Sequence, residues 1–297
     1  MLFAQKTGAE KRAAFRAALS DGRLLQAPGA FAPLVAMEIE RQGFDAVYIS
    51  GAALAADLGL PDIGLTTLSE VAARGYQIAR VTDLPAIIDV DTGFGEPMSA
   101  ARTVRTMEDM GLAGCHLEDQ VGPKRCGHLD NKAVVPAADM ARRIRAAVEA
   151  KRDPNFTVIA RTDARAIEGL DKAIARMRAY ADAGADMIFP EALESEAEFE
   201  TVRGALDVPL LANITEFGKS PLLSKAALES LGYNLAIYPV TTLRLAMHAV
   251  ETGLAELRAS GTQSGLLEVM QHRRDLYRLL RYEDHNSFDR SIYDFTL

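Results

Sequence analysis

The sequence predicts an α/β fold built as a (β/α)8 TIM-type barrel, and three observations predict it. Short apolar runs recur about every 20 to 30 residues with helical patterns between them, the sequence form of parallel βαβ units. No composition break, Ser/Pro-rich linker or low-complexity tract interrupts the series. Nearly every apolar run also ends in a charged or hydrogen-bonding residue, and the C-terminal strand ends of a barrel are where its active site is built. The competing architecture is an open doubly wound sheet, whose Gly-rich phosphate turn is missing. Gly93-Phe94-Gly95 does not supply one, because it follows two acids.

The first run, 25–30, leads into Gly29 and Ala30, and the second, 46–50, closes on Ser50. Run 86–90 carries Asp89, with Asp91 just beyond, and 114–117 is followed by Glu118. Run 157–160 leads to Arg161 and Asp163, 186–189 to Glu191, and 209–212 to Asn213 and Thr215. The eighth, 235–238, stops at Pro239. Amphipathic stretches at 101–110, 137–150, 170–185 and 241–256 supply helices between the runs, with apolar residues at helical spacing. Residues 1–297 are expected to form one barrel domain. Within it, 262–297 form a helical extension: a packed helix over 266–281, then a polar end.

With 48% hydrophobic and 25% charged residues the chain has ample material for a large core. A formal net charge of −8 argues against general binding to nucleic acid or anionic membranes, so an anionic ligand needs a local basic cluster. Cys115 and Cys126 are the only cysteines, which is no disulfide framework and fits a reducing compartment. The N-terminal residues lack the apolar core of a signal peptide, and no run approaches the roughly 20 apolar residues of a membrane span. A cytoplasmic location is expected.

The densest chemistry lies in 118–128, where Lys124, Arg125 and His128 surround Cys126 in a loop punctuated by Gly122, Pro123 and Gly127. Cationic neighbours lower a thiol pKa from about 8.5, so the loop reads as a mobile lid carrying a tuned thiol. Asp89 and Asp91 are two apart and would share one strand face; such a pair suits Mg2+, with Mn2+ the alternative, or else a buried arginine. Asp62 and Glu118 are candidate outer acids. Arg161 can grip a carboxylate bidentately or pair with Asp163 or Glu191. Arg244 reads as an anion anchor or a surface helix residue, and Asn213 and Thr215 as ligand-orienting or turn-capping groups. Ser50-Gly51-Ala52 lets backbone amides approach a ligand, as a tight turn would also require. Tyr48 shares the face of Ser50 and reads as an acid, a base or a packing residue. His128 reads as a hydrogen-bonding loop residue, and Cys115 as core.

Taken together, Lys124-Arg125-Cys126-Gly127-His128, Asp89-Val90-Asp91-Thr92-Gly93-Phe94-Gly95, Tyr48-Ile49-Ser50-Gly51, Pro61-Asp62, Phe189-Pro190-Glu191-Ala192, 211–218 and Tyr238-Pro239 resemble the isocitrate lyase and phosphoenolpyruvate mutase superfamily over nearly the whole chain. The KRCGH form of the loop and the absence of long insertions resemble its short-chain branch. The resemblance implies a barrel whose last helix is exchanged between subunits, commonly in a homotetramer. It also implies Mg2+-dependent carbon–carbon cleavage of a di- or tricarboxylate. Asp89 and Asp91 then match metal-site acids, with Asp62 and Glu118 acting through waters. Ser50, Gly51, Ala52, Gly127, Arg161, Glu191, Asn213, Ile214, Thr215, Arg244 and Arg273 match substrate contacts. Cys126, Tyr48, Lys124, His128 and Glu118 match the catalytic group, with Cys126 protonating a carbanion. Ala52 departs from relatives with glycine there and narrows the pocket. Phe189, Ile237 and Pro239 are expected to form an apolar recess for a substrate methyl. Two other readings exist: a sister decarboxylase or hydrolase, which would need no thiol lid, and a carboxylate-binding barrel without turnover.

Overall fold

The computed structural model describes residues 4–129 and 131–294. Eight parallel strands appear where the apolar runs predict them: β1 Leu25–Pro28, β2 Val47–Ile49, β3 Ala86–Asp89, β4 Gly114–Glu118, β5 Thr157–Thr162, β6 Met187–Pro190, β7 Leu211–Asn213 and β8 Leu235–Tyr238. Strands β2 to β6 pair in sequence order, and β8 sits between β1 and β7. Single parallel bridges, Gly29 with Tyr48 and Ile188 with Leu210, join the two sets into a closed barrel.

Strand side chains alternate between faces, and the two faces have different fates. The outward set, including Val47, Ile49, Ile88, Cys115, Val158, Ala160 and Ile188, packs with the helices. The inward set, Tyr48, Ile87, Ile159, Met187, Phe189, Leu211, Leu235 and Ile237, fills the barrel centre. Further along six of the eight strands, β2 to β7, the inward stripe becomes polar: Ser50, Asp89, Glu118, Arg161, Glu191 and Asn213 are all buried. The fold therefore places the site at one mouth of the barrel. Outside the barrel, helix Ala137–Ala150 has the predicted bounds and buries Met140, Ile144 and Ala147.

The C-terminal region departs from expectation. The helix predicted over 241–256 runs from Thr241 to Ser260, stops at Gly261 in a left-handed conformation (φ 72°), and buries none of its residues. Leu245, Met247, Val250, Leu254 and Leu257 are all exposed. The single helix predicted over 266–281 is instead a 3-10 turn, Ser264–Val269, and a short helix, Arg273–Leu279. Met270 is extended, the His272 ring accepts from the Arg274 amide to restart the helix, and Arg281 adopts φ 54° before helix Tyr282–Tyr293. Its expected packed face is also largely exposed, with Leu267 and Met270 open to solvent and Leu279 buried.

Candidate active site

The mouth of the barrel encloses a cavity of about 100 Å3 lined by residues of β2, β3, β5, β6 and β7, the lid, and the segment following β8. Tyr48, Ser50, Asp62, Asp89, Arg161, Glu191, Asn213 and Thr215 line it, together with Lys124, Cys126, Gly127 and His128 from the lid. Residues as far apart in sequence as Tyr48 and Arg244 thus converge.

Two strand-end acids lie side by side on neighbouring strands. Asp89 is in register with His116, and donor atoms of Asp89, His116 and Glu118 all lie within 4.8 Å of one another. Asp91 is not on the strand: β3 ends at Asp89, and Asp91 sits in a turn at φ 48°, its amide bonded to Asp89 Oδ1 at 2.9 Å. The expected shared strand face of the two acids is therefore replaced by a turn that Asp89 itself caps. Burial, and then Asp89, push the Asp91 carboxyl up. Both Asp91, at 2.8 Å, and Asp62 accept from the Lys124 ammonium. Burial opposes that charge, but Glu118, Asp89, Asp91 and Asp62 outweigh it and hold the lysine protonated.

These residues fit a divalent cation. Both Glu118 carboxylate oxygens and His116 Nδ1 are buried without a hydrogen-bond partner. Burial pushes the Glu118 carboxyl well up, as expected for an acid whose charge lacks sufficient compensation. The carboxylates Asp62, Asp89, Asp91, Glu118, Asp163 and Glu191 also outnumber the cations facing them, Lys124, Lys132 and Arg161. Oxygen donors of this kind suit a hard cation.

Arg161 realises both of its expected structural pairings while lining the cavity. Its Nε and Nη2 donate to Asp163 at 3.0 and 3.1 Å. Nη1 lies 3.3 Å from Glu118, and Nε lies 3.5 Å from Glu191. The guanidinium stands over the Phe189 ring at 5.1 Å. Glu191 in turn receives Asn213 Nδ2 at 3.2 Å and His128 Nε2 at 2.8 Å.

The lid corrects an expectation drawn from its charges. The Cys126 thiol is raised, not lowered: burial is the main cause, outweighing the His128 backbone amide that favours a thiolate. The cations are spent elsewhere. Lys124 serves Asp62 and Asp91, and Arg125 donates to the carbonyls of Pro123 and Lys124. His128 Nδ1 accepts the Lys219 amide at 3.0 Å, which places the ring proton on Nε2, facing Glu191. His128 thereby donates to Glu191 in this arrangement. A thiol kept protonated at a buried site is suited to giving a proton rather than to nucleophilic attack.

The remaining expected residues divide. Ser50 caps helix Gly51–Asp57, accepting from Ala53 N, while the Gly51 amide donates to Asp89 Oδ2 at 3.2 Å. A Cβ on Gly51 would lie 2.8 Å from that oxygen, so the turn needs glycine. Ala52 and Arg244 line the cavity, and Arg244 is held by Glu216 at 3.1 Å. Ile214 packs in the outer core instead. Ile237 is fully buried in the barrel centre below the site; Pro239, Val240 and Phe189 form the apolar wall. Arg273 is not brought to this cavity and lines a separate cleft in the C-terminal extension with Arg274, Tyr277 and Arg278. Tyr48 donates to or accepts from His116 Nε2 at 2.8 Å, and the rings stack. Burial, and then Asp89, raise the phenol well above its usual range, while burial lowers His116 to about 4, leaving it neutral. Sequence reasoning passed over His116 and Lys132. His116 was recoverable, because it lies between Gly114 and Glu118 on the inward face of one strand; Lys132 carries no local signal.

Buried acids, an arginine and a partly buried thiol, gathered at the mouth of a parallel barrel, form the constellation of an enzyme active site. A family model described as phosphoenolpyruvate phosphomutase matches residues 15–258, and the chain belongs to that family. Its relatives include a probable 2-methylisocitrate lyase 1 of Corynebacterium glutamicum, 64% identical over 96% of this chain and 94% of the relative. The 2-methylisocitrate lyase of Escherichia coli is 47% identical over 91% of this chain and 92% of the relative. Among solved structures, 2,3-dimethylmalate lyase superposes with a TM-score of 0.90 at 33% identity, covering 99% of both chains. The chain is accordingly a carbon–carbon lyase. No helix among the described residues is long and apolar enough to cross a membrane.

Proposed function

We propose that the protein cleaves 2-methylisocitrate to pyruvate and succinate, with Mg2+ held by Asp89 and Glu118 and assisted by Asp62 and Asp91. The observation that carries the chemistry is the placement of the Cys126 thiol in one cavity with Arg161 and the buried acids, where burial raises the thiol and favours its protonated form. The substrate is supported by relatives of that name at 44% to 64% identity over at least 90% of this chain.

A divalent cation bound here supplies Lewis-acid polarisation of the 2-oxo acid and offsets charge on its oxygen. The chain's residues do the rest. The substrate hydroxyl gives its proton to the carboxylate side of the site rather than to Tyr48, because burial keeps that residue a phenol. The bond between the hydroxyl-bearing carbon and its neighbour then breaks, releasing pyruvate and leaving its electron pair on the succinate fragment. Cys126 donates its proton to that carbon. Arg161 faces the carboxylate that gains charge, and its orientation is fixed in advance by Asp163, Glu118 and Glu191. The closed lid excludes water from the basic intermediate. Phe189, Pro239 and Val240 offer the apolar wall for the substrate methyl, a preference worth roughly 1–3 kcal/mol.

The uncovered apolar face of helix Thr241–Ser260 supports a homo-oligomer, in which that helix packs on a neighbouring subunit of a tetramer. Light scattering would report the assembly. The substrate reading is tested by steady-state kinetics on 2-methylisocitrate, isocitrate and oxaloacetate. A higher kcat/KM for either of the last two overturns it.

A further inference from the structure

Lys132 lies on the far limb of the lid, where the Val121 amide bonds to the Ala133 carbonyl at 2.8 Å and the Val135 amide to the Asp119 carbonyl at 2.8 Å. Its side chain is 1% exposed. Its ammonium donates to the Gly127 carbonyl, in the residue after Cys126, and to Asp163 Oδ1 at 2.9 Å. That same oxygen accepts Arg161 Nη2 at 3.1 Å, and Oδ2 accepts Arg161 Nε at 3.0 Å. Asp163 is itself fixed from behind, its amide donating to Asp119 Oδ1 at 3.0 Å. One buried carboxylate is thus shared between the lid's lysine and the arginine of the site.

A buried ammonium needs acceptors on more than one side. Lys132 obtains its second acceptor from the lid backbone beside the thiol. We propose that Lys132 is a positioning residue, a latch that registers the closed lid on β5. By sharing Asp163 it also sets the angle at which Arg161 enters the cavity. Its role acts through Gly127 and Asp163; it does not line the cavity. The proposal rests on the reading of Cys126 as the proton donor carried by the lid.

The test compares the wild type with Lys132→Met and Lys132→Gln, using steady-state kinetics and the alkylation of Cys126 by iodoacetamide. Alkylation is measured with and without pyruvate plus succinate; Cys115, fully buried, stays silent. A misplacement of about 1 Å costs about 100-fold in rate, so kcat of Lys132→Met should fall about 10- to 100-fold while KM moves far less. Cys126 should alkylate faster, and the two products should protect it less. Removing a nearby cation would by itself slow alkylation by lowering the thiolate fraction, so acceleration reports lid opening. Lys132→Gln retains a donor for Gly127 without the charge and should fall between the two. It also serves as the test should the methionine variant fail to fold. Wild-type kcat together with wild-type alkylation in a folded variant overturns the latch. Absence of 2-methylisocitrate turnover in the wild type overturns the substrate reading alone, since the alkylation comparison remains.

Discussion

Gly127→Ala probes the closed lid with a single methyl group. A Cβ at this position would stand 2.4 Å from Arg161 Nη2, 2.5 Å from Glu191 Cγ and 2.6 Å from Glu191 Cδ. Neither neighbour can yield cheaply. Arg161 is clamped by two bonds to Asp163, and Glu191 is held by Asn213 and His128. The lid, attached only at its ends and by side chains, must give way instead. It would withdraw by about 1 Å, a displacement that costs about 100-fold in rate, or about 2.7 kcal/mol of transition-state stabilisation. Stability should be nearly unchanged, because the barrel core does not contact the new methyl and the position does not require a left-handed backbone. A coupled assay of pyruvate release measures kcat and KM, and a thermal melt checks the fold. The expected result is a loss concentrated in kcat with the melting temperature preserved. A variant with kcat within a few-fold of wild type would refute the closed geometry as the working one.

Three further outcomes follow from the site. Cys126→Ser should lose at least about 100-fold in turnover, the low end of general acid catalysis, while still binding pyruvate and succinate by calorimetry; near-normal turnover would remove the thiol from the chemistry. Because burial raises the Cys126 thiol, its proton is retained as pH rises through the usual thiol range near 8.5, and activity is lost only above it. A pH profile of kcat with its alkaline limb near 7 would contradict this assignment. Chelation should abolish turnover, and Mg2+ should raise the melting temperature, by about 2.7 kcal/mol of stability at 100 times its Kd. Glu118→Gln should weaken that thermal shift, and an unchanged shift would place the cation elsewhere.

Much of this was legible along the chain because barrels repeat. Eight apolar runs gave eight strands, and the period-two alternation that buries Phe189 and Ile159 also carries Glu191 and Arg161 to the mouth on the same face. The KRCGH loop announced itself by composition. What failed to show was how charges would be shared. Lysine, arginine and histidine beside a thiol suggested a lowered pKa, yet each cation found another partner, and the desolvation of Cys126 prevailed. The tail misled for a different reason. Leu266 to Leu280 has helical spacing, but a local backbone break at Met270 divides it, Arg281 ends it, and apart from Leu279 its apolar residues find little packing within one chain to select a continuous helix.

The sequence by itself therefore determined the barrel, the strand-end acids and the charged loop after β4, since periodicity and local composition are properties of neighbouring residues. Only the tertiary structure decided which carboxylate each cation serves and which tautomer His128 takes. It alone also put Lys132 and Arg161 on one oxygen of Asp163. Those outcomes depend on distances across strands and on burial, which linear spacing does not encode.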